Sequence, residues 1–234
     1  MHSLPDLSGR VVLITGGSRG IGYATAGLAL EAGARVVIGA RAPERLTAAA
    51  RALGGRGEVA AHTVDVTDYG QVADFLEAGQ RQFSRVDALV NDAGVAWAGP
   101  FAEMPVAEID SQVDVNLRGV LYGCRAALPH LLEQGGGTIV NVSSGAGRTG
   151  IPGISAYSAT KFAVNGLTEA LAGEAAESGV GIYAICPGRV ATDMQEIVSG
   201  KRQGMSPEAV GRAVLACLGP RPPVRSGQCL DVTG

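Results

Sequence analysis

A run of β-branched residues, RVVLIT at 10–15, passes directly into a glycine-rich turn, TGGSRGIG at 15–22, and then into a stretch of helical character. A strand that feeds a tight turn and a helix sends the chain back across a sheet, and here the pattern repeats. Short β-branched runs at 35–39, 58–64, 87–91, 138–143, 181–186 and 228–232 alternate with helical stretches near 20–32, 42–53, 68–82, 105–134, 154–178 and 206–218. The alternation predicts an α/β fold, a single doubly wound Rossmann domain over 1–234, with a seven-stranded parallel sheet flanked by helices. No segment of distinct composition divides the chain. The 105–134 stretch exceeds ordinary helix length and contains Pro129, which predicts two segments or one kinked helix.

Composition narrows the function classes. Apolar residues make up 46% of the chain, too many for disorder, and a net charge of −3 offers no surface for a polyanion, so nucleic acid is not an expected partner. The start MHSLPDLSGR lacks the basic head and apolar run of a signal peptide, and no later run reaches the ~20 apolar residues of a membrane span. A soluble, cytoplasmic protein with no membrane partner is the expectation. Cys124, Cys186, Cys217 and Cys229 are far apart and form no cluster with His2, His62 and His130, so buried free thiols and no metal site are expected.

The glycine turn sits where a helix N-terminus favours a pyrophosphate. Gly16, Gly20 and Gly22 follow G-x-x-x-G-x-G spacing rather than the G-x-G-x-x-G fingerprint. An acid about 20 residues on usually holds the ribose 2′-hydroxyl. Ala40 stands there, followed by Arg41, with Arg19 inside the turn. Two guanidiniums suit a 2′-phosphate, so the expected cofactor is NADP(H). Further on, YSATK at 157–161 puts Tyr157 and Lys161 on one helix face, where an ammonium favours a phenolate and lowers the tyrosine pKa.

With TGGSRGIG, NDAG (91–94), VNLRG (115–119), VSS (142–144), YSATK and PGRVAT (187–192) in this order, the chain resembles the short-chain dehydrogenase/reductase family of the classical, 3-oxoacyl reductase-like type. The resemblance runs from about Leu7 to the end, and Ser144 and Asn116 precede Tyr157 by 13 and 41 residues. It implies that Tyr157 is the general acid/base, that Lys161 lowers its pKa and holds the nicotinamide ribose, that Ser144 hydrogen-bonds the substrate oxygen, and that Asn116 anchors a water in the proton relay. It assigns Thr15, Ser18, Arg19 and Ile21 to the phosphate loop, Asp65 and Val66 to the adenine, and Asn91, Ala93 and Gly94 to the length of the cofactor. Pro187, Gly188, Val190 and Thr192 join the cofactor-binding set, the last two near the carboxamide.

Three features depart from the family. Asp92 stands where a second asparagine is more usual, the ending GQCLDVTG differs from the family's GQ…VDGG, and few residues separate Pro187 from the helix expected at Ser206. The last predicts a shallow or open pocket, or one closed by a second chain. Trp97, Met194 and Ile197 are candidates for its border, and Arg148 and Arg189 for an anionic substrate group. The expected function is hydride transfer between NADP(H) and a small-molecule carbonyl or secondary alcohol. The alternatives are reduction of a 3-oxoacyl thioester and a dinucleotide-sensing regulator without catalysis. Apolar residues on several faces of the 105–134 and 154–178 helices, among them Val113, Leu117, Val120, Leu121, Phe162, Leu167 and Leu171, predict a homodimer or homotetramer.

Overall fold

The computed structural model describes residues 4–233; His2 and Gly234 lie outside the described residues. The elements run β1 (Val11–Thr15), α1 (Gly20–Glu31), β2 (Arg35–Ala40), α2 (Pro43–Leu53), β3 (Val59–Thr63), α3 (Tyr69–Phe83), β4 (Ala88–Asn91), α4 (Val106–Val113), α5 (Gly119–Glu133), β5 (Gly137–Val142), α6 (Ser155–Glu174), β6 (Val180–Pro187), α7 (Asp193–Ser199), α8 (Pro207–Leu218) and β7 (Cys229–Val232). The seven strands form one sheet in the order β3-β2-β1-β4-β5-β6-β7. Every pairing is parallel.

Two apolar layers sandwich this sheet. One gathers Ile14, Leu28, Ile38 and Ile185 with Val210 and Val214 of α8, and the other gathers Leu13, Phe75, Leu89, Leu131 and Ile182. Because alternate strand residues face opposite sides, both sides need apolar residues, and β1 is buried along its whole length. The chain moves from β1 outward to β3, then returns to pair β4 on the other side of β1, with Thr15 beside Asn91. Strand order reverses there, so the loops leaving β1 and β4 diverge and open a crevice.

A buried polar seam crosses the middle of the sheet. Asn91 Nδ2 donates to Asn141 Oδ1 at 2.9 Å, Asn141 Nδ2 to Thr168 Oγ1 at 3.0 Å, and Thr168 Oγ1 to Val164 O at 2.8 Å. The seam fixes α6 against β4 and β5. Unpaired buried amides cost free energy, so a slip of the helix along the sheet is resisted more strongly than by apolar packing alone.

The 105–134 stretch forms two helices, one of the two outcomes expected, but they part at a π turn, Asp114–Arg118, and α5 passes through Pro129. Helical structure after Lys161 ends at Glu174 rather than 178. The segment after Pro187, expected to be short and given no element in the sequence reading, contains α7: Thr192 Oγ1 accepts from Gln195 N at 3.3 Å as its N-cap, and Gly200, at φ 70°, closes its C-terminus.

Candidate active site

The loop after β1 turns on glycines for a steric reason. Gly16 has φ +73°, and a Cβ there would stand 2.9 Å from the Ala93 amide nitrogen. Gly20, at φ +57°, opens α1. Thr15, 2% exposed, binds the two loops together, its Oγ1 accepting from Asp92 N at 3.2 Å and Ala93 N at 3.3 Å. Above this cradle lies a cavity of about 450 Å³, lined by Gly16, Ser18, Arg19, Gly20 and Ile21 from the loop and by Ala40, Arg41 and Arg45 beyond β2. Val66, Ala93, Gly94 and Thr192 complete the parts named from sequence. A tight, helix-capped glycine loop with three guanidiniums at one end fits the phosphates of a dinucleotide.

A second cavity of about 410 Å³ adjoins it and shares Ile21, Asp92, Gly94, Thr192 and Met194 with the first. Ser144, Tyr157 and Lys161 meet in this space, together with Pro187, Gly188 and Val190. Ser144 follows β5 and caps a short 3₁₀ turn, its Oγ accepting from Ala146 N at 3.1 Å. Tyr157 and Lys161 are one turn apart on α6. Lys161, 4% exposed, donates from Nζ to Val142 O at 2.8 Å, and Nζ stands 5.6 Å from the Tyr157 ring centroid. Met194, Gln195, Val198 and Ser199 of α7 form the far wall, so the short segment after Pro187 covers the cavity as a helix.

The electrostatics correct the expected tyrosine shift. Burial pushes the Tyr157 hydroxyl up to about 12, against the hydrogen bond of Ser144, and the charge of Asp92 adds to the rise. The ammonium of Lys161 is itself brought down to about 8 by burial, against the attraction of Asp92. Both groups are removed from water, and desolvation outweighs the help that a cation gives a phenolate.

The remaining candidate residues divide between the cavity walls and the structure behind them. Asn91 turns its side chain into the buried seam, and its amide is absent from both cavity walls. Asn116 is wholly buried in the π turn, exchanging 2.8 Å hydrogen bonds with the backbone of Val95, and its side chain also reaches Thr160 Oγ1 at 3.4 Å. Asp65 spends its carboxylate on the Thr67 amide and hydroxyl, at 3.0 and 2.8 Å, while Val66 reaches the wall. Gly22 is buried beneath the cleft beside Asp92. Arg148 is paired with Asp231 at 3.3 Å, Arg189 lines the second cavity, Ile197 is 64% exposed, and Trp97 is outside both walls.

Sequence reading missed Arg45, four residues beyond Arg41, and a three-residue ion-pair bridge over the first cavity. Asp193, in the first turn of α7, binds Arg19 at 3.1 Å and also pairs with Arg202. The signal for Arg45 was present in ARAPER, where the helix-starting Pro43 turns both arginines towards one spot.

Comparison with known proteins agrees with this layout. The short chain dehydrogenase family matches residues 10–203. Oxidoreductase BOA17 of Botryotinia fuckeliana (strain B05.10) is 41% identical over 79% of this chain and 67% of its own. An oxidoreductase of Staphylococcus saprophyticus is 35% identical over 92% of this chain and 90% of its own. Among solved structures, levodione reductase superposes with a TM-score of 0.92 at 30% identity, covering 97% of each chain. The 3-ketoacyl-(acyl-carrier-protein) reductase of Brucella melitensis, complexed with NADH, gives 0.91 at 30% identity, covering 97% of this chain and 98% of that one. A crevice at the strand-order reversal, with a serine, a tyrosine and a lysine in its inner half and a family match across most of its length, makes this chain a member of the short chain dehydrogenase family of oxidoreductases.

Proposed function

We propose that the protein is an NADP(H)-linked reductase of small-molecule carbonyl compounds, working in reverse as a secondary-alcohol dehydrogenase. The observation that carries the reading is the continuity of the two cavities, with phosphate-binding features in one and Ser144, Tyr157 and Lys161 in the other. The glycine loop, Arg19, Arg41 and Arg45 would hold the phosphates, and Val190 and Thr192 would face the nicotinamide end. When bound, the nicotinamide supplies or accepts the hydride. The protein's residues manage the proton. Tyr157, with its hydroxyl near 12, is fully protonated at neutral pH and ready to neutralise a carbonyl oxygen that gains negative charge. Ser144 orients that oxygen, and the Lys161 ammonium favours the tyrosinate left behind.

Cofactor preference rests on the absence of an acid at Ala40 and on the arginines around it. A charge-assisted hydrogen bond contributes about 1.5–3 kcal/mol, so one contact to the 2′-phosphate implies roughly tenfold to hundredfold discrimination. A panel of ketones, quinones, sugars and 3-oxoacyl thioesters, followed by NADPH and NADH absorbance, tests the reading. Turnover with NADPH, weakened by Arg41→Ala much more than turnover with NADH, is the expected outcome. Equal kcat/KM for the two cofactors removes the assignment of NADP(H), and no oxidation of either by any carbonyl favours a dinucleotide-sensing regulator. Thioester reduction is the second reading, favoured by the structural likeness to the 3-ketoacyl-(acyl-carrier-protein) reductase.

A further inference from the structure

We infer that the substrate is a compact apolar ketone, alicyclic or aryl, whose hydrocarbon body lies between α7 and the loop before α6. The inference rests on the reading of the site as a carbonyl reductase, and names the substrate class of that site from the side chains around the second cavity.

The apolar wall comes from three places. Met194 and Val198 of α7, four residues apart, share one face of the helix and line the cavity, while Ile197 turns outward and is 64% exposed. Ile151 and Ile154 come from the loop before α6, and Ala96 from the loop after β4. The two isoleucines are presented by the chain's own hydrogen bonds. The Ile151 amide donates to Ser158 Oγ at 3.3 Å, and the Ile154 amide to Ile151 O at 3.2 Å. A body seated here gains by leaving water and finds dispersion contact on two sides.

The polar side chains of the same cavity are mostly engaged already. Ser143 Oγ donates to Lys161 O at 3.2 Å. Ser199 Oγ accepts from Gln195 Nε2 at 2.8 Å and donates to Gln195 O at 2.9 Å, so Gln195 keeps its Oε1 alone for a ligand. Asp92 and Thr192 belong to the part shared with the first cavity, and Arg189 is an exposed residue. Ser144, Tyr157 and Lys161 remain as a cluster suited to one oxygen. A single carbonyl is therefore served, whereas each further hydroxyl leaves water for a wall that offers it little. The cavity, about 410 Å³ with its shared part, has room for one or two rings. On reduction the carbonyl carbon gains the hydride given up by the reduced nicotinamide and the oxygen gains the Tyr157 proton, leaving a secondary alcohol and the oxidised dinucleotide.

The test compares cyclohexanone, its methylated derivatives and tetralone with ketoses of similar size and a 3-oxobutanoyl thioester, each followed by NADPH absorbance. kcat/KM is expected to rise about fourfold with each added methyl until the cavity is full, and to fall by up to about a hundredfold where a hydroxyl replaces a methyl. Val198→Asn puts an amide into the wall from a helix with no buried residue, so the denaturation midpoint should hold while KM for the methylated ketones rises about tenfold. Val198→Ile should keep the wild-type KM. Saturation-transfer NMR with oxidised NADP present reads binding of the same ketones without turnover. Ketoses or the thioester reduced as well as the apolar ketones, or a KM indifferent to Val198→Asn, overturn the substrate class and leave the reductase reading standing. Apolar ketones that bind and are never reduced reject the reductase reading and keep the ligand class, and ketones that neither bind nor react overturn both.

Discussion

Burial of the Lys161 ammonium carries an electrostatic cost that the attraction of Asp92 offsets only in part. The lysine's folded pKa, about 8, is below the ordinary 10.5, so between those values the unfolded chain holds a proton that the folded chain has released. Stability therefore rises with pH through that window on account of this residue, and below pH 8 its full penalty applies. Lys161→Met should abolish turnover and leave Val142 O without its donor and Asp92 without an opposite charge, and it should lack the rise in stability with pH. Between pH 8 and 10.5 the wild type should therefore gain stability relative to the variant in chemical denaturation; parallel curves for the two proteins would show that the lysine is not strained in this way. Tyr157→Phe keeps the ring and removes the proton, so kcat should fall by roughly 10²–10⁴-fold with dinucleotide affinity retained, as measured by fluorescence titration. Thr25 presents a simpler case, being the buried side chain among the described residues whose polar atom finds no partner. Thr25→Val preserves its shape on α1 and should stabilise the protein by about 1 kcal/mol in chemical denaturation.

At the scale of elements, α7 is the piece whose integrity the substrate cavity depends on. It has seven residues, none buried, and depends on its two ends, Thr192 and Gly200. Gly200→Ala forces a Cβ into a left-handed turn, a strain of about 1 kcal/mol. Amide exchange should quicken across 193–199 and KM for the carbonyl should rise, while the global unfolding midpoint stays nearly fixed. All seven strands were legible in the sequence to within a residue or two, because a sheet buried on both faces demands continuous β-branched runs that surface loops do not imitate. The helix α7 was not legible, because two turns are too short to impose an apolar period on their residues. The π turn was not legible. It coincides with the bonds between Asn116 and Val95, 21 residues apart, and no local pattern announces a long-range partner, whereas Pro129 announced a break that α5 does not make. The seam explains Asn91 in the same way, since its partners Asn141 and Thr168 come from elements far along the chain.

The whole molecule leaves some apolar surface uncovered. Of the residues that suggested assembly, Val120 is buried and Leu117, Leu167 and Leu171 pack against the core, but Val113, Leu121 and Phe162 remain 36%, 41% and 45% exposed. A homo-oligomer through α4, α5 and α6 is the expected state, and Phe162→Arg should reduce the mass seen by light scattering; a wild-type monomer at micromolar concentration would rule this out. The bridge from Arg19 through Asp193 to Arg202 has a different kind of consequence. Arg19 is not waiting free for an anion, because α7 already supplies one. A phosphate arriving at Arg19 must displace a carboxylate, so binding becomes an exchange of one ion pair for another and α7 loses a tether as the cofactor gains one. The preference for a phosphorylated dinucleotide proposed above would then be a difference between two attractions, smaller than either. Taking the competitor away with Asp193→Asn should widen the ratio of NADH to NADPH dissociation constants and free α7 to open before any cofactor arrives.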